Sequence, residues 1–451
     1  MTITSVFSKI NFKDVKGHIS GSWSTSWPMI FIMVFEVLIS LTDIYIAGKL
    51  GKEYQASIGF VHQIYLIFIV LANALTIGTV SVLSRLFTAG DKKKFSDSVY
   101  SVVVTIILSG IALSVLGVFL GPLLIGIMNI PAELKDICKS FIMILAGGML
   151  FHYFIINSNG ILRSTRNVKK SLATMTVVCI LNIGLTVFFV FYTPMGYKGI
   201  PFATALSYFF GSIINFVYVA KLIDKVRIFS TEIIKGVVSI GWPSGLHQIL
   251  WTAGYTILYM IIAMLPNNSV DVVAAFANGG RIEAAIFMPA FAFALSSAVI
   301  TGNFLGEKKA DSAFAAGLAT AFTGVLFVII LIIIVILNAE TLASLLSNNP
   351  NVINECKYYL YISMASEPFM VWAMILAGSL NGAGDTRSVM LITVSGMWLV
   401  RLPLCYILGI WLDLGSHAIW WSMNASMFFQ AIMISWRYFG KKWIKKGMSE
   451  L

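Results

Sequence analysis

Apolar residues in this chain run in long blocks separated by short polar stretches. The blocks have the length that crosses a bilayer, about 20 residues or more. Twelve such spans can be read, at about 23–49, 56–86, 95–128, 135–162, 168–192, 198–222, 236–265, 271–304, 311–338, 354–381, 387–412 and 416–438. In hydrocarbon each must satisfy its own backbone hydrogen bonds, so each is predicted to be a helix. The short connections fit a helical bundle. The first span, WSTSWPMIFIMVFEVLISLTDIYIAGKLG, holds two acids, Glu36 and Asp43, seven residues apart. Seven residues is close to two helical turns, so both carboxylates point roughly the same way. An ionisable group at the bilayer centre costs roughly 2.5–3.5 kcal/mol on insertion scales, which marks the pair as a candidate site.

The blocks repeat. GILRST from Gly160 matches GSLNGAGDTR from Gly378, a shift of 218, and the same shift carries Cys138-Lys139 onto Cys356-Lys357. Trp27-Pro28 matches Trp242-Pro243 at a shift of 215, and the turn Gly90–Lys94 resembles Gly306–Lys309. The expected fold is an all-α polytopic membrane protein with twelve transmembrane helices in two six-helix lobes, 1–225 and 226–451. An even number of spans per lobe inserts both the same way up, related by a pseudo-twofold axis along the membrane normal. Secondary transporters commonly bind their cargo at such a repeat interface, near mid-membrane.

Composition agrees with the pattern. The chain has 451 residues, of which 58% are apolar and 11% charged. A soluble protein would carry about a quarter charged. The mean hydropathy is +0.87. The net charge of +11 invites a nucleic-acid reading, but the placement of the basic residues removes the need for one. Most of them, from Lys9, Lys13 and Lys16 through Lys92–Lys94, Arg163, Lys169 and Lys170 to Arg437–Lys446, fall on one expected side. That asymmetry puts both termini in the cytoplasm, with the chain multi-pass in the plasma (inner) membrane. The first 22 residues read as a short basic arm, and Lys221–Lys235 as a cytoplasmic tether between the lobes. Cys138, Cys179, Cys356 and Cys405 have no metal or disulfide spacing.

Chemistry is mostly absent. The chain has no GxxxxGK[ST], HExxH or GxGxxG, and its five histidines lack ligand spacing. No enzyme is expected and no cofactor, which leaves an ion gradient as the energy source. One elementary charge crossing 100 mV supplies roughly 2.3 kcal/mol.

LTDIYIAGKLG at the end of the first span, LNGAGDTR at 380–387 and GRIEAAIFMPAFAFA ending at Ala294 together resemble the multidrug and toxic compound extrusion (MATE) family. GILRSTRNVKK at 160–170, LNIGL from Leu181 and GIPFATALS from Gly199 fit the same pattern, and the likeness covers nearly the whole chain. The resemblance implies a two-lobed antiporter exporting amphipathic, cationic organic compounds or drugs in exchange for Na⁺ or H⁺. It implies a cation-coupling site at Asp43, Asn182, Thr186 and Thr204, with Asn157 nearby.

The residue types support that site on their own terms. Asn182 and Thr186 are i,i+4 and share a helix face, and Thr204 begins the next span. One carboxylate with neutral oxygens suits Na⁺, held by Asp43, Asn182 and Thr186; the same carboxylate, taken out of water, could instead carry a proton. Hydrogen bonding between helices is the other reading of the neutral residues, and a water-exposed cap at the outer end is the other reading of Asp43. Glu36 stands as a substrate-binding or relay residue, as do Glu367, Trp251 and Phe287, the rings offering faces to a lipophilic cation. Arg401, beside Pro403, reads as structural, and Arg281 and Glu283 as residues of the outer mouth.

The chain departs from the family where Thr186 replaces an acid found in some members, and where the seventh span carries His247, Gln248 and Trp251 in place of an acid. Glu36 and Asp43 map by the repeat onto the uncharged Trp251 and Leu258, so a second-lobe ion site is not expected. Partners are the bilayer and a small amphipathic molecule, with no nucleic acid, and the chain is expected to work as a monomer. The alternative is a flippase for a lipid-linked substrate; it calls for a cationic cavity, and the spans hold few cations beyond Arg281 and Arg401. An enzyme would need a reactive constellation, and a receptor would not need two matched halves.

Overall fold

The computed structural model describes residues 12–128 and 130–449, and among these there are helices and no strands. The helices are α1 (Phe12–Leu50), α2 (Lys52–Thr88), α3 (Lys92–Ile127), α4 (Ala132–Gly147), α5 (Met149–Ser164), α6 (Val168–Phe191) and α7 (Gly199–Ala220). They continue with α8 (Thr231–Ala263), α9 (Ser269–Gly306), α10 (Ala310–Leu337), the short α11 (Ala339–Ser344), α12 (Pro350–Met364) and α13 (Glu367–Gly382). The last are α14 (Thr386–Ser395), α15 (Leu402–Tyr406), α16 (Gly415–Phe439) and α17 (Lys442–Ser449). π-helical turns at Gly396–Arg401 and Ile407–Trp411 bracket α15.

Among the described residues nine helices are long and apolar enough to span alone. Two bent pairs, α4 with α5 at 49° and α12 with α13 at 52°, bring the number to eleven. The twelfth expected span is α16, whose 25 residues give about 37 Å of helix. Lys9 lies outside the described residues. Lys13 and Lys16, expected in a short arm, belong to α1, which starts before the apolar block does.

By contacts the chain forms two compact units, one of Phe31–Gly245 and one of the residues up to Ile30 with Leu246–Leu451. The divisions fall inside α1 and α8, two residues past Pro28 and Pro243. Proline inside a helix removes a backbone bond and clashes one turn back, so these are the places where each helix bends most readily.

Within each unit small residues set the packing. In the unit with Leu246–Leu451, a Cβ on Gly378 or Gly382 would strike the backbone carbonyls of Ala294 and Ala298 on α9. Two small residues a turn apart on each helix let the backbones meet. Between them Ser379 Oγ shares a proton with Ser297 Oγ at 2.6 Å and accepts one from Thr301 at 3.1 Å. In Phe31–Gly245, Gly160 on α5 packs against Thr76 and Val80 on α2. These positions correspond to Gly378, Ala294 and Ala298 at the same shift of 218, so the sequence repeat is a repeat of contacts.

Turns repeat as well. Arg166 and Gly384 both have positive φ (60° and 85°), as do Gly90 and Lys308 (94° and 59°). The α4–α5 bend at Gly148 corresponds to the α12–α13 break at Ser366. Beside the second of these turns Asp385 is buried and binds Arg437 from Nε and Nη2, both at 2.7 Å.

The segment between α7 and α8 is strapped along α3. Backbone N–H groups of Asp224, Ile228 and Ser230 donate to Ser96, Asp97 and Ser101 at 2.7, 2.9 and 2.8 Å. The Arg227 guanidinium lies 5.1 Å from the centre of the Tyr100 ring. These bonds hold the expected tether to the bundle.

Replacing Gly378 with Val should cost about 1–3 kcal/mol, because the α9 carbonyls cannot yield without parting the helices. Thermal unfolding of the purified protein reads this, and an unchanged midpoint would refute the packing. Asp97→Ala should speed proteolytic nicking between 222 and 230, measured as cleavage rate against the parent chain.

Candidate functional site

The first candidate site lies within Phe31–Gly245, where α1, α6 and α7 bring their polar residues together. Asn182 and Thr204 are buried, and Asp43 is half-buried. The Thr204 hydroxyl donates to Asp43 Oδ2 at 3.0 Å, and Asn182 Nδ2 donates to Thr204 Oγ1 at 3.0 Å. The three side chains thus form a chain of bonds across three helices. The Ile200 carbonyl, 3.2 Å from the same Thr204 hydroxyl, competes for its proton.

The groups left over matter more. Asp43 Oδ1, Asn182 Oδ1 and Thr186 Oγ1 are all buried without a hydrogen-bond partner. Buried polar atoms are nearly always bonded, and leaving one unmade costs about 1–3 kcal/mol. Asn182 and Thr186 stand one helical turn apart on α6, and Asp43 is joined to Asn182 through the Thr204 hydroxyl. One carboxylate and two neutral oxygens match a hard monovalent cation such as Na⁺. Among the described residues no three His, Cys, Asp or Glu side chains converge to hold a metal ion.

Asn157 is occupied elsewhere. Its Oδ1 accepts from Thr76 at 3.1 Å and its Nδ2 donates to the Tyr153 carbonyl at 2.9 Å, so it joins α2 to α5. Asn159 and Asn215 form a further buried polar joint, with Asn215 Nδ2 donating to Asn159 Oδ1 and Ser158 Oγ at 2.9 Å each. Such joints are the ordinary work of polar side chains between membrane helices.

Glu36 is exposed on α1, and Arg163 is a charge within its electrostatic reach. Arg163 belongs to the GILRST repeat and was expected among the basic residues of a loop. It is buried on α5, and its Nε has no partner. A single sequence gives no sign of this proximity, since the two residues lie far apart along the chain. A cluster of rings sits nearby. Tyr65 Oη lies 2.8 Å from His152 Nδ1, and the His152 ring stacks on Tyr208 at 4.1 Å between centroids. Tyr208 in turn is within electrostatic reach of Asp43 and Glu36.

The other candidates lie in the unit containing Leu246–Leu451. Glu367 is buried at the start of α13, and its Oε2 has no partner. Trp251 lies under the Arg401 guanidinium, 5.4 Å from it, and beside Tyr255. Glu367 and Trp251 therefore share Arg401 as a neighbour. Phe287 is exposed and stacks on Phe291. Glu283, expected at an outer mouth, accepts from the Tyr359 hydroxyl at 2.8 Å and also feels the Arg401 charge. The sign of this second cluster was available in the sequence: two acids and one arginine stand inside otherwise apolar spans.

A bundle of this kind, with broken helices and an acid partnered only in part, has counterparts among known proteins. An uncharacterized transporter of Bacillus subtilis, YisQ, is 22% identical over 99% of this chain and 99% of its own length. A probable multidrug resistance protein, NorM, of Thermotoga maritima is 23% identical over 92% of this chain and 91% of its own. Among solved structures, one described as a MATE in the bent conformation superposes with a TM-score of 0.88, at 21% identity, covering 97% of this chain and 98% of that one. A MOP superfamily transporter from Pyrococcus furiosus gives 0.87 at 21% identity, covering 96% and 98%. The MatE family model matches residues 28–188 and 243–407, both halves of the repeat and more than half of the chain. The chain belongs to the MatE family.

Proposed function

We propose that this transporter exports amphipathic, cationic organic compounds by alternating access of its two halves, in exchange for Na⁺ or H⁺ bound at Asp43. As a member of a transporter family it is not an enzyme. The names of relatives such as the NorM proteins support multidrug efflux as the activity. The observation that carries the coupling role is the set of three buried oxygens, on Asp43, Asn182 and Thr186, that have no partner. Na⁺ would complete them, and a proton on Asp43 would relieve the carboxylate alone. Thr204 serves either ion by holding Oδ2, so that Oδ1 keeps one direction.

Coupling then follows from differential affinity. A ligand shifts a conformational equilibrium only by as much as it prefers one state. Asp43 and Pro28 stand on one helix, and ion entry would favour the geometry of α1 in which the carboxylate, Asn182 and Thr186 converge. Glu36, with Arg163 as its charged neighbour, can balance the positive group of a cargo. The basic asymmetry of the connections supports cytoplasmic termini in the cell membrane.

The decisive measurement is dye efflux from proteoliposomes with Na⁺ and pH gradients imposed separately. We expect Asp43→Asn to abolish gradient-driven efflux, and efflux persisting at the parent rate would sink the assignment. Thr204→Ala removes one charge-assisted bond, so the coupling ion should bind about tenfold more weakly, with the maximal rate less affected. Under Na⁺ coupling, efflux should saturate with Na⁺ at constant pH. Under H⁺ coupling it should not respond to Na⁺ at all.

A further inference from the structure

The last described helix, α17, belongs neither to the ion site nor to a span, and its two faces differ in chemistry. α16 ends at Phe439, and Lys441 takes a positive φ of 55°, which turns the chain away from the span. α17 then folds back against its own unit. Trp443 and Ile444 are buried. The Trp443 ring stacks on Tyr438 at 5.1 Å, and its Nε1 donates to the Tyr438 carbonyl at 2.7 Å. A Cβ on Gly447 would meet Leu305 and Ala383, so α17 rests on the last residues of α9 and the turn after α13. Those are the ends of spans, which places α17 at the level where hydrocarbon gives way to head groups. By the shift of 218 its first turns correspond to 223–228, part of the tether that backbone donors strap along α3.

The apolar face of α17 is therefore taken up by protein contacts, and what faces outward is charge. KKWIKK at 441–446 holds four lysines and no acid. Lys442 and Lys445 are exposed and stand three residues apart, side by side on the helix, where like charges repel. Acids at this end already have basic partners. Glu307 pairs with Lys309 at 2.9 Å, Asp385 with Arg437 at 2.7 Å, and Asp311 with Lys441 at 3.7 Å. Among the described residues Lys442, Lys445 and the exposed Lys308, in the turn after Leu305, have no acid partner.

We propose that the outer face of α17 binds the head groups of anionic phospholipids in the leaflet beside it. Clusters of four or more basic residues just beyond a span are suited to such contacts, which run through phosphate. An ammonium is a compact charge that asks no fixed geometry of its partner, and so matches mobile head groups. With Trp443 and Ile444 engaged by protein, binding draws on charge alone and must weaken as salt rises. A lipid phosphate also relieves the repulsion between Lys442 and Lys445, and so holds α17 docked on α9. The inference is independent of the export reading and of the ion at Asp43.

The test titrates the full-length protein in dodecyl maltoside with phosphatidylglycerol, and with phosphatidylcholine as the zwitterionic control. Native mass spectrometry reads the retained lipid, and thermal unfolding across a salt series reads the stabilisation. The parent protein should prefer phosphatidylglycerol, and its stabilisation by that lipid should fade at high salt. Each lysine near a charged surface contributes about fivefold, so Lys442→Gln with Lys445→Gln should weaken phosphatidylglycerol binding about tenfold or more. Phosphatidylcholine binding should not change. Lys442→Arg with Lys445→Arg keeps the charges and should keep the preference. Both side chains are exposed, so neither exchange disturbs packing. Lys49→Gln with Lys52→Gln, at exposed positions on α1 and α2, controls for net charge and should leave the preference intact.

A parent protein that does not distinguish the two lipids overturns the lipid surface. So does a Lys442→Gln, Lys445→Gln variant that binds phosphatidylglycerol as tightly as the parent. Equal loss in the Lys49, Lys52 control reduces the effect to net charge and overturns it as well. An equal rise in unfolding temperature with soluble glycerol phosphate points to a free phosphate instead of a bilayer, and overturns the assignment.

Discussion

Inside hydrocarbon a polar atom has no water to fall back on, and this constraint explains both the scaffold and its exceptions. Most hydroxyls in these spans return a bond to a carbonyl of their own helix, as Thr76 does to Ala72 and Thr320 to Ala316. Others bridge helices, as Ser379 does to Ser297 and Asn215 to Asn159. Against that background several of the atoms that remain unmatched gather in two places, around Asp43 and around Arg401. One group consists of oxygens and the other mostly of N–H donors. A structure that had only to stay folded would have little reason to sort its unmet needs by chemical sign.

The duplication explains the shape of each unit and makes the charges stand out. Gly160 on Thr76 and Gly378 on Ala294 are one contact built twice, and Arg166 and Gly384 turn the chain the same way. At Arg166 the left-handed conformation is held by a residue with a side chain, where the second copy has glycine. Yet Asp43 has no acidic counterpart, and Arg401 answers to nothing charged at the equivalent place in the first copy. Duplication supplied two similar frames, and the polar residues then diverged within them.

Much of the fold was legible because membrane helices advertise themselves by length. The bends and the repeat were legible in part, since Pro28, Pro243 and the two glycine-rich segments are local signals. What escaped were pairings across the bundle. Arg163 looked like one more basic residue of a loop because its neighbours along the chain include Arg166 and Lys169. Only the folded α5 shows that it is buried and within electrostatic reach of Glu36. Asn157 looked like a neighbour of Asp43, and Thr76, which claims it, is 81 residues away. Asp43, Asn182 and Thr204 were easier to associate because helical spacing and family likeness pointed to the same residues.

The two units hold opposite chemistry. A site of oxygens discriminates by size and charge and suits a small, invariant ion. The two clusters share no residue, so a substitution in one leaves the hydrogen bonds of the other in place. Asp43 is held by Thr204, a short side chain with little freedom, whereas Arg401 is held at Nε by Ser426 and flanked by the Trp251 and Tyr255 rings. A short hydroxyl fixes the carboxylate oxygen it binds, while a guanidinium on a long stem is held in place by packing against rings as well as by its bonds.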